Sequence, residues 1–250
     1  MQRRHLTLAA ALLLCSTAHA QTAAVKYGVI SLIGESITVS GSRPTTGSRL
    51  DQNDKLSITL PDAGFDATAL RTLQEGVKQI APQSEAQLFA IKAPKWVDTP
   101  SDLFDGDKVL MSPKLVAAMK ADGATQLLLL TRYKSDTQLR FANGVEGRGR
   151  VEGLGFYVDR EQSVIDSATQ ESSRGFLGSY VSLRLCLVDL NTSTVLKQQV
   201  IKGSNIHGLR HRHASVDPWD ALSPTEKLSA LGRLIEEGLT TALPTLLSAS

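Results

Sequence analysis

Little in this 250-residue chain could staple, anchor or steer it. There are 2 cysteines, and Cys15 lies so early that the body of the protein keeps only Cys186. An internal disulfide is thereby excluded, and the chain has to be held by its buried core. No apolar run in the body approaches the roughly 20 residues that cross a bilayer as a helix. The formal net charge is +2, from 27 basic and 25 acidic residues. That is too even a balance for a broad nucleic-acid-binding surface. Motifs of nucleophilic, zinc-protease or nucleotide chemistry are missing too: there is no G-x-S-x-G, no H-E-x-x-H and no G-x-x-x-x-G-K-[ST]. What is present is an ordinary folding composition, 42% hydrophobic and 21% charged.

The first twenty residues read as an address. Arg3, Arg4 and His5 give a basic start, Leu6–Leu14 an apolar run, and Ala18-His-Ala20 a small-residue cleavage site. The pattern predicts a Sec-type secretory signal peptide over 1–20, cleaved before Gln21, and hence a periplasmic or secreted protein. A lipid anchor at Cys15 is disfavoured because Leu14 stands where such signals place a small residue. Arg3 and Arg4 lack the polar context of a twin-arginine signal. The leader holds two of the basic residues and no acid, so 21–250 carries 25 of each sign.

Along the body, Val25–Leu32 reads as a strand, and Gly34-Glu35 is expected to turn it back into Ser36–Ser40 as a hairpin. Gly41–Lys55 has loop composition, and Leu56–Leu60 is a third short strand. A helix is expected after Asp66, with that carboxylate as its cap and Leu70, Leu73, Val77 and Ile80 as its buried stripe. Ala86–Ile91 is a strand, and 94–107 a surface excursion. Ser112-Pro113 opens a second helix, with Leu115, Val116 and Met119 inward and Gly123 ending it. Gln126–Thr131 is apolar enough for a central strand. Arg148–Asp159 and Tyr180–Asp189 are predicted strands joined by a polar link over 160–174. Asn191–Thr194 turns the second into Val195–Lys202. Ser223, Pro224 and Glu226 signal a capping box, and Leu228, Leu231, Ile235, Leu239, Ala242 and Leu246 give helical period before Pro244 kinks or ends it. The fold class is therefore mixed α/β: a β-sheet with helices packed on it, a βαβαβ core, then β-hairpins and a C-terminal helix. Residues 21–250 are expected to form one domain with a long insertion at about 134–178.

Tyr180-Val-Ser-Leu-Arg-Leu-Cys-Leu-Val-Asp-Leu-Asn-Thr-Ser-Thr-Val-Leu-Lys197 resembles a strand–turn–strand phrase of bacterial envelope proteins, and Ala121-Asp-Gly-Ala-Thr-Gln-Leu-Leu-Leu-Leu130 resembles their helix-to-strand step. The group comprises the TolB N-terminal domain, curli-secretion lipoproteins and penicillin-binding-protein activator lipoproteins. The likeness spans roughly 56–202 and is one of element pattern. This chain departs from it in Leu14, in Thr-Ser at the turn, and in the 134–178 insertion. The resemblance implies an α/β envelope module that binds other proteins and has no active site. A secreted proteobacterial family outside that group fits equally.

Three segments could carry chemistry. His207, His211 and His213 are all the histidines beyond the leader and precede Asp217, a set of zinc-ligand types. Arg210 and Arg212 between them oppose a cation and make the loop, with Trp219, a candidate partner contact. Gly147, Gly149 and Gly153 resemble a dinucleotide loop but lead into the strand-like Phe156-Tyr-Val-Asp, so a hairpin loop is expected, with Leu154, Phe156 and Tyr157 as an apolar contact patch. Asp102, Asp105 and Asp107 lack EF-hand spacing. The expected function is that of an exported, non-catalytic module without a cofactor, binding a protein or envelope component through the 41–55, 134–178 and 203–222 segments. The alternative is a secreted hydrolase or zinc-binding protein using His207, His211 and His213. For export, the expected outcome is that protein recovered from the periplasm or medium gives an N-terminal sequence starting at Gln21. A mass matching the full 250 residues in that fraction would contradict the cleavage.

Overall fold

Strand β1 (Lys26–Leu32) buries Val29 towards one core and Ile30 towards another, and a strand covered on both faces belongs inside a sheet. The structure is a computed structural model describing residues 24–41, 53–91, 94–141, 144–165, 172–207 and 217–248. The predicted leader segment 1–20 with Cys15, together with Arg210, His211, Arg212 and His213, lies outside the described residues. After β1 come β2 (Ser36–Gly41), β3 (Asp54–Thr59), α1 (Phe65–Ile80), β4 (Glu85–Leu88), α2 (Pro94–Asp98), β5 (Phe104–Asp105), β6 (Lys108–Val109), α3 (Pro113–Ala121) and β7 (Gln126–Arg132). The second half holds β8 (Lys134–Asp136), β9 (Leu139–Phe141), β10 (Gly144–Glu146), β11 (Arg150–Ile165), β12 (Ser172–Asp189), β13 (Thr194–His207) and α4 (Pro224–Leu247). The fold is mixed α/β, as the composition and periodicity predict. Among the described residues, 11 strands share one mixed sheet, while β9 and β10 pair separately.

Strand β12 is the spine. One edge pairs with β13, from Leu177↔His207 to Asp189↔Thr194, with one irregularity between Leu187 and Val188. The other edge is divided. It pairs with β11 as far as Ser182↔Gly153, then with β7 starting at Leu183↔Arg132. Behind β7 lie β1 and β4 in parallel, so the βαβαβ unit takes β1 as its first strand, and the expected strand 56–60 before α1 lies outside it as β3. Behind β11 lie β2, parallel, and β3, antiparallel. The sheet thus forks at the end of β7.

This fork corrects the expected β1–β2 hairpin: the two strands do not pair, and the corner passes the chain from one prong to the other. Gly34, at φ +67, takes the left-handed conformation there. Buried Arg132 holds the corner, donating from Nε to the Ile33 carbonyl (2.6 Å) and from Nη2 to the carbonyl and Oγ of Ser36 (2.8 and 2.9 Å). Burial pulls the Arg132 guanidinium below its ordinary pKa, while Glu152, Asp98 and Asp66 favour its charge. Asp66 does not cap α1 as expected, because the N-cap is Gly64. Its carboxylate instead accepts from Ser31 Oγ (2.5 Å) and from the N–H groups of Ile33 and Gly34 (3.1 Å each). Glu35 faces the first N–H groups of α1 in return, Phe65 at 3.4 Å and Asp66 at 3.5 Å. The corner and the helix start cap each other.

Both faces of the sheet are covered. Helices α1 and α4 lie over Val29, Leu128, Leu130, Leu183 and Leu185, while α3 and the 94–111 segment cover Ile30, Leu32, Leu129, Cys186 and Val188. Leu103 in that segment is core, so the predicted surface excursion is partly internal. Helix α1 buries Phe65, Ala69, Leu73 and Val77, shifting the expected stripe and leaving Ile80 exposed. Helix α3 has the expected Ser112 cap, whose Oγ accepts from the Leu115 N–H (3.3 Å). In α4 the capping box of Ser223 and Glu226 is present. Its inner face includes Leu231, Leu234, Ile235, Leu239, Leu243 and Leu246, with Leu228 exposed. Pro244 neither ends α4 nor prevents its last turn, since Leu243 and Leu246 anchor the chain on either side. Among the described residues, both ends of the expected polar link over 160–174 are strand, because β11 runs to Ile165 and β12 starts at Ser172.

Replacing Arg132 by Ala orphans two backbone carbonyls at the fork and should lower the unfolding free energy by about 3 kcal/mol. Arg150→Ala, which removes an exposed 3.2 Å pair with Asp136, should cost no more than about 0.5 kcal/mol. Urea unfolding of both variants checks the pair of values.

Candidate functional site

The histidine segment begins where β13 ends. His207 lies opposite Leu177, and its Nε2 is 3.0 Å from Ser179 Oγ. A hydroxyl against an imidazole is the contact that a nucleophile and base require. Here Ser179 is 0% exposed, and its hydroxyl also donates to the Asn205 carbonyl at 3.4 Å. The pair is therefore a tie between β12 and β13, with the hydroxyl itself fully buried. Period-two alternation alone would have placed Ser179 near that strand end; the missing information was the antiparallel register. Burial lowers the His207 pKa, Arg233 lowers it further, and Glu226 raises it.

Asp217 is engaged as well. It accepts two hydrogen bonds from Arg160 (2.9 and 3.2 Å) and caps the short helical turn Pro218–Ala221 through the Trp219 N–H (2.9 Å). Burial pushes its carboxyl up, but the Arg160 and Trp219 hydrogen bonds and the Arg160 charge hold it below the usual carboxylate range. Trp219 packs edge-on against Phe156, with ring centroids 5.6 Å apart. Lys227 Nζ sits 4.2 Å from the centre of the Trp219 ring and donates to the Leu222 carbonyl. Among the described residues, no three His, Cys, Asp or Glu side chains converge as metal ligands.

The apolar patch expected at Leu154, Phe156 and Tyr157 is interior. These residues lie in β11 between two other strands, so their side chains fill the cores on either face. The glycines nearby serve the sheet. Gly153, at φ +66, leaves room for the Arg132 side chain, and a Cβ on Gly155 would lie 1.9 Å from the Thr38 carbonyl oxygen. Cys186 is buried as expected, and burial pushes its thiol up to about 11.

Two concavities among the described residues are large enough to hold a ligand. The first, about 500 Å³, opens at the fork, where Arg132, Tyr133, Glu152 and Arg184 face Asp98 and Phe104. The second is a groove of about 420 Å³ between Gln199–Asn205 of β13 and the flank of α4 around Leu234, Gly238 and Thr241. Its floor is Ile201, and Arg140 stands at its rim. Beyond Thr194↔Lys108 and the Val195 N–H to the Asp107 carbonyl, the outer edge of β13 has no strand partner among the described residues. Leu196 and Val200 on this strand are 48% and 41% exposed. Lys197 and Lys202 accompany them, with Lys197 Nζ donating to the Ser248 carbonyl. No residue of this edge was singled out by sequence reasoning, because an unpaired strand and a paired one share the same alternation.

No family model matches the chain, and no curated protein matches it. Among solved structures, the chain is similar to a neuraminyllactose-binding hemagglutinin homolog of Helicobacter pylori, at 9% identity over 91% of this chain and 87% of that one, with a TM-score of 0.42. It is also similar to the PelC dodecamer of Paraburkholderia phytofirmans, at 11% identity over 90% of each chain and a TM-score of 0.32. A third, the hypothetical protein CT253 of Chlamydia trachomatis, shares 11% identity over 91% of this chain and 100% of its own, with a TM-score of 0.33. These are distant structural resemblances to bacterial proteins, and the phrase at 180–197 acquires no family name from them. No helix among the described residues is long and apolar enough to cross a membrane.

With its folded-state pKa below the ordinary 6.5, His207 remains neutral while an unfolded chain takes up a proton. Its contribution to stability is therefore complete above pH 6.5 and declines as the pH falls through the folded-state value. His207→Gln should show a smaller drop in melting temperature between pH 7 and pH 5 than the wild type. Parallel calorimetric scans at the two pH values measure the difference.

Proposed function

We propose that this is an exported envelope protein whose task is to bind another protein rather than to catalyse a reaction. The observation that carries the reading is the outer edge of β13 beside the α4 groove, which over 196–203 has no strand partner among the described residues. An open strand edge offers a row of backbone donors and acceptors, and an extended segment of a partner can add to it as a further strand. Residues 196–203 offer about 26 Å of such edge. The adjacent groove supplies a place for alternate side chains, with Ile201 as its floor.

The charges select the occupant. Arg140 and Lys202 line the groove with one acid, Glu237, and Lys197 lies further along the same strand, so the strand that fits is extended and acidic. The same lysines oppose the approach of a second β13 edge-to-edge, which makes a foreign segment a better occupant than another copy. On the enzyme side, the Ser179 hydroxyl that meets His207 is fully buried and faces the Asn205 carbonyl, and Asp217 is held by Arg160. Those are arguments for binding over hydrolysis. The leader pattern at 1–20 supports export.

A photo-crosslinking amino acid at Val200, expressed in the native cell envelope, should give a discrete adduct with one protein. Lys202→Glu should reduce that adduct at least several-fold, and residues 196–203 should gain amide-exchange protection in the purified complex. Labelling at Leu56, exposed on β3 at the opposite side of the sheet, serves as the control. Equal adducts from both positions, or an adduct composed of two copies of this chain, would overturn the reading.

A further inference from the structure

The cleft at the fork has a property that the protein-binding reading leaves unused. Arg184 projects from β12 into it, with its guanidinium carbon 3.7 Å from the centre of the Phe104 ring and 5.8 Å from that of Tyr133. Stacking on Phe104 fixes the plane of the cation and leaves its donors to be satisfied at the edges. No acceptor among the described residues meets them, and Nε is buried without a hydrogen-bond partner. Thr131, the register partner of Arg184 on β7, has a buried hydroxyl that also meets none. Two neighbouring polar groups at one seam are thus unsatisfied, in a protein where Arg132 a single residue away has its acceptors supplied by Ile33 and Ser36. Buried polar groups are satisfied with few exceptions, and a guanidinium on an aromatic face next to an open cleft is a common arrangement for recognising an anion.

The rest of the cleft narrows the class of anion. Arg132, Lys134 and Arg184 are opposed by Asp98 and Glu152 on the walls, an excess of one positive charge, and both acids act on Arg132. A dense polyanion such as a phosphomonoester would bring two charges towards those carboxylates. A single carboxylate presents two parallel acceptors to one guanidinium at half the charge. The volume, about 500 Å³, suits a ligand of drug or dipeptide size.

We propose that this cleft is a binding site for a small monocarboxylate, held by Arg184 on its Phe104 platform. The site opens on the face of the sheet opposite α4 and is built from Arg184 and Phe104, while Val200 of β13 is the register partner of Arg184.

The probe is N-acetyl-Ala-Ala with a free carboxylate, titrated into the full-length mature protein. Its C-terminal amide and inorganic phosphate are the comparison ligands. Calorimetry should register the carboxylate and neither comparison ligand. The Nε–H resonance of Arg184, assigned in the ¹⁵N-labelled wild type, should move in step with the calorimetric isotherm. Arg184→Gln should weaken binding at least about tenfold, and Arg184→Lys should retain part of it because charge survives while the planar fork is lost. Reading the Nε–H signal in the wild type keeps the test valid if a variant unfolds. Equal binding of the amide, tighter binding of phosphate, or an unmoved Arg184 signal at millimolar probe would each overturn the proposal.

Discussion

The architecture depends on one charged group placed where two half-sheets part. Arg132 ends β7, and its guanidinium reaches the carbonyls on either side of the β1–β2 corner. Without those bonds the corner would leave buried backbone acceptors unmet, at a cost comparable to a sizeable fraction of the stability of a typical domain. With them, one continuous chain can serve both prongs. An ion pair could not do the same work, since a carboxylate partner would take up the fork of donors that the two carbonyls now share. The exchange between Asp66 and Glu35 is the complementary device, fixing the other side of the corner to the start of α1.

That arrangement explains why the glycines of the middle segment are where they are. Gly153 and Gly155 sit on the β11 side of the fork, one beneath the Arg132 side chain and one against the Thr38 carbonyl. A glycine-rich stretch is easily taken for a phosphate loop, but here it records close approach of backbone and side chain inside a sheet. The same crowding consumes Leu154, Phe156 and Tyr157 in the interior.

Much of the fold was legible in the sequence because its signals are local. The Ser112 and Ser223 caps, the helical periods of α1 and α4, the buried run of β7 and the turn at 191–194 each depend on residues close in the chain. What was not legible depends on partners far apart. The Ile33–Arg132 contact spans 99 residues, and no periodicity in Val25–Ser40 distinguishes a hairpin from a corner between two prongs. The candidate sites divide in the same way. Asp217 and Trp219 were visible as residue types, but their commitment to Arg160, Phe156 and Lys227 follows only from tertiary placement. Arg184 drew no notice as a polar residue in an alternating strand, since its significance lies in Phe104, eighty positions earlier.

The divided edge of β12 has a consequence in time. Strand β1 has both its neighbours once β7 is made, but β2 waits for β11 and β7 for β12, so early segments are completed by much later ones. Folds dominated by such distant pairings close slowly, because a long loop must be brought together before any contact offsets its entropy. The fork therefore splits closure into two stages: β1, β4 and β7 can pair among themselves, as can β2 and β3, but the two groups are joined into one sheet only when β11 and β12 arrive to bridge them.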